Sequence, residues 1–334
     1  MRTKVAILGA GAMGTACALL LAKKQTCDIA LWSVRADSGR QLQQTRENSR
    51  LLPGVRIPDR VHLTTSLAEA VAEVHLLVVA IPTVYLRQTL AREIDLLRCG
   101  PQPAVSVIKG LEIDTFLRPT EIITQLIGPR PVAVMSGPGH AEEIARGLPT
   151  SLVVASRDEA LSKWVQQLFS CDHFRLYTNS DVVGVELAAA LKNVIAIAAG
   201  ISDGLGFGDN AKAALMTRAL VEMVRFSQAH EAEPQTFFGL AGIGDLITTC
   251  VSRHGRNRRV GERLGQGEKL SNILATMEQV AEGVTTAKSV HVRAKQLGLD
   301  LPITSEVYQM LYEDKPPLRA VQDLMMRDLK SEVC

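Results

Sequence analysis

Apolar positions in the first half of the chain come in short unbroken runs separated by longer amphipathic stretches. Val5-Ala6-Ile7-Leu8, Ile29-Ala30-Leu31-Trp32, Leu76-Leu77-Val78-Val79-Ala80-Ile81, Ala104-Val105-Ser106-Val107-Ile108 and Val132-Ala133-Val134-Met135 are the clearest. A strand that is apolar at every position buries both faces, so a series of them with helices between predicts a parallel, doubly wound α/β sheet. Ser151 to Ala155 and Phe174 to Tyr177 read as added edge strands, with a helix over Glu159 to Phe169 between them. Beyond about Asp181 the runs end and helical periodicity takes over. Helices are predicted over 187–199, 211–229, 270–279, 285–297 and 304–312, with glycine-rich connections at 200–208 and 239–244. The pattern divides the chain into an α/β domain of residues 1–183 and an all-helical domain of residues 184–334.

The first strand runs into Gly9-Ala10-Gly11-Ala12-Met13-Gly14, a G-x-G-x-x-G turn that opens an apolar helix over Thr15 to Ala22. Glycines at this spacing allow a tight turn and close backbone approach to a pyrophosphate, which the helix N-terminus attracts. Alone the hexapeptide is weak; at the head of a βαβ series it points to a Rossmann-like dinucleotide site. The second strand ends at Trp32-Ser33 without the acid that usually holds an adenine-ribose hydroxyl, and Val34 and Arg35 follow. The balance leans to NADP, with Arg35 by the 2′-phosphate. A solvated Arg35 fits equally, so NAD stays open.

Leu187 to Ala199 is apolar apart from Lys192 and Asn193. A helix hydrophobic all round belongs in a core, where an ammonium is paired or has its pKa lowered. Beside a dinucleotide such a lysine can exchange a proton with an oxygen while hydride moves at carbon; pairing with a structural carboxylate is the plainer role. Asp245, after Gly242-Ile243-Gly244, reads as a helix cap before it reads as a partner of Lys192. Arg253, Arg256, Arg258, Arg259 and Arg263, with Asn257 among them, suggest a phosphate site.

Composition narrows the field. With 37 basic and 35 acidic residues the formal charge is +2, which argues against nucleic acid or a membrane surface as partner, and 4% aromatics leave little for base stacking. The six cysteines are scattered and the seven histidines form no ligand-spaced pair, so a reducing cytoplasm and no metal are expected. No apolar run matches the ~18–20 residues of a membrane span, and no signal peptide is read at the N-terminus.

Further motifs run in order along nearly the whole chain. They are Glu47-Asn48-Ser49-Arg50-Leu51-Leu52-Pro53-Gly54, Lys109-Gly110-Leu111-Glu112, Ser136-Gly137-Pro138, Leu191 to Ile197, Asp203 to Gly206, Gly208 to Leu215, Gly239 to Gly242, Gly244-Asp245-Leu246, Arg256 to Arg259 and Glu282-Gly283. In these the chain resembles the bacterial-type NAD(P)-dependent glycerol-3-phosphate dehydrogenases. The resemblance implies reversible hydride transfer between NAD(P) and C2 of sn-glycerol 3-phosphate, giving dihydroxyacetone phosphate on oxidation and serving glycerophospholipid synthesis. It makes Lys192 the proton donor and acceptor and Lys109 a contact to both substrate and cofactor. Asp245, Arg256 and Asn257 match substrate positions, with Arg256 also reaching the dinucleotide. Gly137, Gly139 and Gly255 fall in substrate loops. Gly9, Gly11, Ala12, Met13, Gly14, Val34, Arg35, Ala141, Val280 and Glu282 fall on the cofactor side. A homodimer is admitted, with no residue arguing for it.

Four departures stand out from that pattern. Met13 replaces an aromatic residue, Val34 a basic one, Gly139-His140 a hydroxyl residue followed by Phe, and Gly255 a Ser. Two lost hydroxyls on the substrate side predict weaker or altered substrate binding, and His140 is expected to pack in the place of Phe. The same departures keep two alternatives: a related dehydrogenase for another hydroxy acid or phosphorylated alcohol, and a non-catalytic dinucleotide-binding sensor.

Overall fold

The computed structural model describes residues 2–98, 100–252, 254–277, 280–329 and 331–332. Among these, eight strands form one sheet: β1 (Thr3–Leu8), β2 (Cys27–Trp32), β3 (Val61–Thr64), β4 (Leu76–Val79), β5 (Ala104–Ser106), β6 (Val132–Ser136), β7 (Thr150–Ala155) and β8 (Phe174–Asn179). They lie in the order β3-β2-β1-β4-β5-β6-β7-β8, with β6 and β7 antiparallel and every other neighbouring pair parallel. The unbroken apolar runs explain the two-sided burial. Val5 and Ile7 of β1 enter one core with Leu31 and Val78, while Ala6 and Leu8 enter the other with Trp32, Leu77 and Val79.

Strand β3 is absent from the apolar pattern because it is short and alternating. Val61 and Leu63 are buried and His62 is exposed, as an edge strand allows. The antiparallel seat of β7 was also not readable from its composition.

The helical domain is organised around the helix Val182–Gly204, in which every residue from Gly184 to Ser202 is buried. This helix extends past the apolar stretch through Gly204, so the first five residues of the connection expected at 200–208 are helical and the connection itself is 205–208. It is long and apolar enough by composition to cross a bilayer, but 94% of its most apolar window is buried inside the protein. The helix Arg256–Gly265 crosses it at backbone contact. A Cβ on Gly200 would strike the Arg258 carbonyl, one on Gly204 the Glu262 carbonyl, and one on Gly261 the Ile197 carbonyl. Leu270–Ala275 is shorter than expected, and the final two residues of that prediction lie outside the described residues. Pro317–Met325 is a helix that the apolar pattern misses, since Ala320 is its one buried residue.

Buried carboxylates are prominent among the polar contacts between the sheet and the helical domain. Glu186 of the Val182–Gly204 helix accepts from Thr120 N (2.9 Å), Thr120 Oγ1 (2.6 Å) and Arg118 Nη1 (2.8 Å), securing the start of the helix Pro119–Ile127. Glu282 Oε1 accepts from Thr83 N at 3.3 Å, and Lys109 Nζ donates to Asp245 Oδ2 at 2.7 Å.

Candidate active site

The C-terminal ends of the strands open into a cavity of about 790 Å³ that runs from the end of β2, past the β1 turn, to the loops after β5 and β6. Gly9 has φ +115°, and a Cβ there would sit 2.8 Å from the Ala80 carbonyl oxygen, so this turn admits glycine alone without strain. Its N–H donates to Trp32 O at 3.0 Å, levelling the turn with the end of β2. Asn48 fixes the turn from the other side, donating to Ala10 O at 3.0 Å and to Thr15 Oγ1 at 3.1 Å. Gly11 caps the helix Ala12–Ala22 without a side chain, and a Cβ on it would meet nothing within 4 Å. A helix N-terminus left open beside a roomy cavity fits a pyrophosphate, and the residues present therefore suit a dinucleotide.

Gly9, Gly11, Ala12, Met13, Val34, Arg35, Lys109, Ala141, Arg256, Val280 and Glu282 all line this cavity. Gly14 does not. It is buried, and a Cβ on it would collide with the Gly9 carbonyl, so its service is to let the helix close on the turn. Arg50 lines the same cavity as Arg35 and was not singled out by the sequence; among the described residues neither arginine makes an ion pair.

At the opposite end Lys109, Gly139, Lys192, Asp245, Gly255, Arg256 and Asn257 meet. Gly137 is set back, its carbonyl accepting from Lys109 Nζ at 2.9 Å. Lys192 Nζ donates to Asp245 Oδ1 at 2.8 Å and to Thr249 Oγ1 at 2.5 Å. One carboxylate thus holds two ammonium groups, and Asp245 is not the helix cap that its position suggested. The segment before it is a π-helical turn, Leu240–Gly244, that continues into the helix Asp245–Val251 and leaves no start to cap. The glycine-rich connection expected at 239–244 is therefore helical, and π turns often aim side chains into sites. Thr249 and Asn193 also line the cavity and were not predicted as site residues; a Thr one turn after Asp245 was the available signal.

Burial lowers the Lys192 ammonium to a pKa of about 8; Asp245 opposes the drop and Lys109 adds to it. Burial pushes the Asp245 carboxyl up, but Lys109 and Lys192 outweigh it and hold the acid below its ordinary range. Burial raises Glu282, against the pull of Arg256. Asn257 is oriented by accepting from Gly283 N at 2.9 Å. The arginine cluster does not converge as a whole. Arg256 reaches the cavity, Arg258 binds Asp203 at 2.6 Å, Arg263 binds Glu268 at 2.5 Å, Arg259 is not among the lining residues, and Arg253 lies outside the described residues.

A dinucleotide cradle facing a buried, carboxylate-bound lysine with a pKa near working pH defines a nicotinamide-dependent oxidoreductase. Two family models match the chain in sequence: the NAD-dependent glycerol-3-phosphate dehydrogenase N-terminus over residues 4–162 and its C-terminus over residues 181–322. Proteins named glycerol-3-phosphate dehydrogenase (NAD(P)+) from Chlorobium phaeobacteroides strain BS1 and Geobacter sulfurreducens are 46% and 47% identical over 335 residues, covering 99% of this chain and of each relative. The crystal structure of glycerol-3-phosphate dehydrogenase from Coxiella burnetii superposes with a TM-score of 0.93 at 36% identity, covering 98% of this chain and 99% of that one. The chain belongs to the NAD-dependent glycerol-3-phosphate dehydrogenase family. These relatives do not favour the alternatives raised by Gly139 and Gly255.

Proposed function

We propose that this protein interconverts dihydroxyacetone phosphate and sn-glycerol 3-phosphate with NADPH or NADH, using residues 1–183 for the dinucleotide and 184–334 for the substrate. The observation that carries the reading is the Lys192–Asp245–Lys109 arrangement at the mouth of the helical domain, with Arg256 and Asn257 beside it. When bound, the nicotinamide supplies or accepts the hydride at C2. Lys192 protonates the C2 oxygen in reduction and takes the proton back in oxidation, a role for which a pKa of about 8 is well placed. Asp245 holds that ammonium in place, while Lys109 orients the reacting end from the sheet domain. Arg256 and Asn257 hold the phosphate, so one substrate spans both functions.

Arg35, which follows β2, and Arg50 both line the cavity and support a preference for NADPH through the 2′-phosphate. The reading extends to a cytoplasmic homodimer serving glycerophospholipid synthesis; the free thiols of Cys17, Cys27, Cys171 and Cys250 suit a reducing compartment. Sedimentation and cell fractionation check those two points. The primary test is oxidation of NADPH and of NADH at fixed dihydroxyacetone phosphate. Turnover with NADPH faster than with NADH is expected; no turnover with either, while both cofactors bind, overturns the reading.

A further inference from the structure

The motif Lys109-Gly110-Leu111-Glu112 contributes only its first residue to the lining of the cavity. The other three show how that residue is held. Gly110 has φ +149°, and a Cβ on it would meet Thr83 Oγ1 at 2.9 Å and the Glu282 carboxyl carbon at 3.5 Å, so the chain runs tightly against the Thr83–Glu282 contact. Leu111 is 2% exposed and enters the core of the helical domain; among the described residues it is the one buried member of that core drawn from residues 1–183. Phe116, further along the same loop, packs on that core too, its ring centroid 5.6 Å from that of Phe226 and 5.2 Å from that of His230.

Glu112 ties the loop back to the sheet domain. Its carboxylate accepts from Arg87 Nε at 2.7 Å and Arg87 Nη2 at 2.8 Å, and also from the Thr115 hydroxyl. Arg87 stands on the helix Thr83–Arg92 and donates to Gln125 Oε1 of the helix Pro119–Ile127 at 2.9 Å. A two-pronged pair of this kind fixes orientation as well as distance. The Glu112 side chain is 17% exposed, and hydrogen bonding from Arg87 holds its carboxyl below the ordinary range against the effect of burial. The Glu112 main chain closes the loop, its N–H donating to Leu117 O and its carbonyl accepting from Phe116 N, both at 3.0 Å.

The loop therefore grips both domains, and Lys109 bridges them, donating to Gly137 O on one side and to Asp245 Oδ2 on the other. In the reading above, on which this inference rests, Lys109 orients the reacting end of the substrate. We propose that Glu112 and Arg87 are positioning residues for the reaction, their ion pair holding the loop where the Lys109 ammonium meets Asp245. Neither side chain lines the cavity, so the pair acts through Lys109. A displacement of about 1 Å in a group that orients substrate costs up to about 10²-fold in rate.

The experiment measures kcat/KM for dihydroxyacetone phosphate reduction between pH 5.5 and 9.5 in wild type, Glu112→Gln, Arg87→Lys, Lys109→Met and the double variant E112Q/K109M. E112Q removes the charge and one prong of the pair and should lower kcat/KM by about ten-fold at pH 7.5. Lys109 is one of the groups that keep Lys192 down at a pKa of about 8. Its drift from Asp245 in E112Q should therefore move the alkaline fall in activity up by about half a unit, and K109M should move it further the same way. In the K109M background E112Q should cost less than about two-fold, because the group it acts through is gone. R87K keeps the charge without the fork and should fall between wild type and E112Q; it carries the test if E112Q does not fold. Full activity in E112Q and R87K overturns the positioning role and leaves the reaction standing, as does a loss with an unmoved pH midpoint that persists undiminished in K109M. Failure of the wild type itself to reduce dihydroxyacetone phosphate overturns the reaction and this inference with it.

Discussion

Replacing Asp245 by Asn removes one charge from between two lysines and leaves the shape and one acceptor in place. Asp245 lies 2.8 Å from Lys192 Nζ and 2.7 Å from Lys109 Nζ and is 1% exposed, so water screens this charge very little. A carboxylate this close moves a neighbour's pKa by roughly 1–3 units. Without it, Lys192 should fall from about 8 to roughly 5–7, since burial and Lys109 both act in that direction. Ketone reduction needs the protonated amine. At pH 7.5 about three-quarters of Lys192 carries the proton in the wild type, against about 3% for a pKa near 6, so protonation alone costs roughly 25-fold. The assay is kcat/KM for dihydroxyacetone phosphate reduction between pH 5.5 and 9.5, which reports the free enzyme. Wild type should lose activity as pH rises through about 8; D245N should lose it one or more units lower and recover much of its deficit near pH 5.5. A D245N profile that keeps its midpoint near 8, uniformly depressed, would refute the claim that this carboxylate sets the lysine's pKa.

Other substitutions test separate parts of the argument. Lys192→Ala should lower kcat by about 10²–10⁴ with NADPH affinity unchanged, read from turnover and cofactor fluorescence. Arg256→Ala should raise the substrate KM by roughly 10–100-fold with a smaller effect on kcat, as expected for losing a charged hydrogen bond to phosphate. Gly261→Ala drives a methyl into the Ile197 carbonyl and should destabilise by at least ~1–3 kcal/mol, seen as a lowered Tm. Glu222, whose carboxyl burial raises to about 7 from an ordinary 4.5 against the N–H groups of Ile303 and Thr304, favours the protonated fold. Its contribution is full below pH 4.5 and is lost as pH rises through 7, so denaturation curves should show wild type losing about 3 kcal/mol more than E222Q between pH 4.5 and 8.

What could be read in advance follows physical rules. Strands buried on both faces announce themselves as continuous aliphatic runs, and the turn at Gly9 is fixed by local sterics, so β1, β2 and the dinucleotide cradle were legible. Lys192 was legible too, because a single cation inside an apolar helix has few explanations. Asp245 was legible as a partner of Lys192 only in second place after a helix cap, since its partners lie 53 and 136 residues away and the π turn before it is not visible in local spacing. The arginine cluster was over-read for the opposite reason. Arg258 and Arg263 find carboxylates at Asp203 and Glu268 that local spacing does not advertise. Asn48 lay within a quoted motif, but its grip on the Ala10 carbonyl exists only once the chain has folded back.

The glycine-lined crossing of the Val182–Gly204 and Arg256–Gly265 helices acts as a ruler. It carries Lys192 on one helix and Arg256 with Asn257 at the start of the other, and its spacing is fixed by main chain against main chain. Under the roles proposed for Lys192, Arg256 and Asn257, the distance between the reacting carbon and the phosphate is then set by this backbone contact and not by side chains that point substitution can trim. A redesign for longer phosphorylated alcohols would have to rebuild the crossing itself.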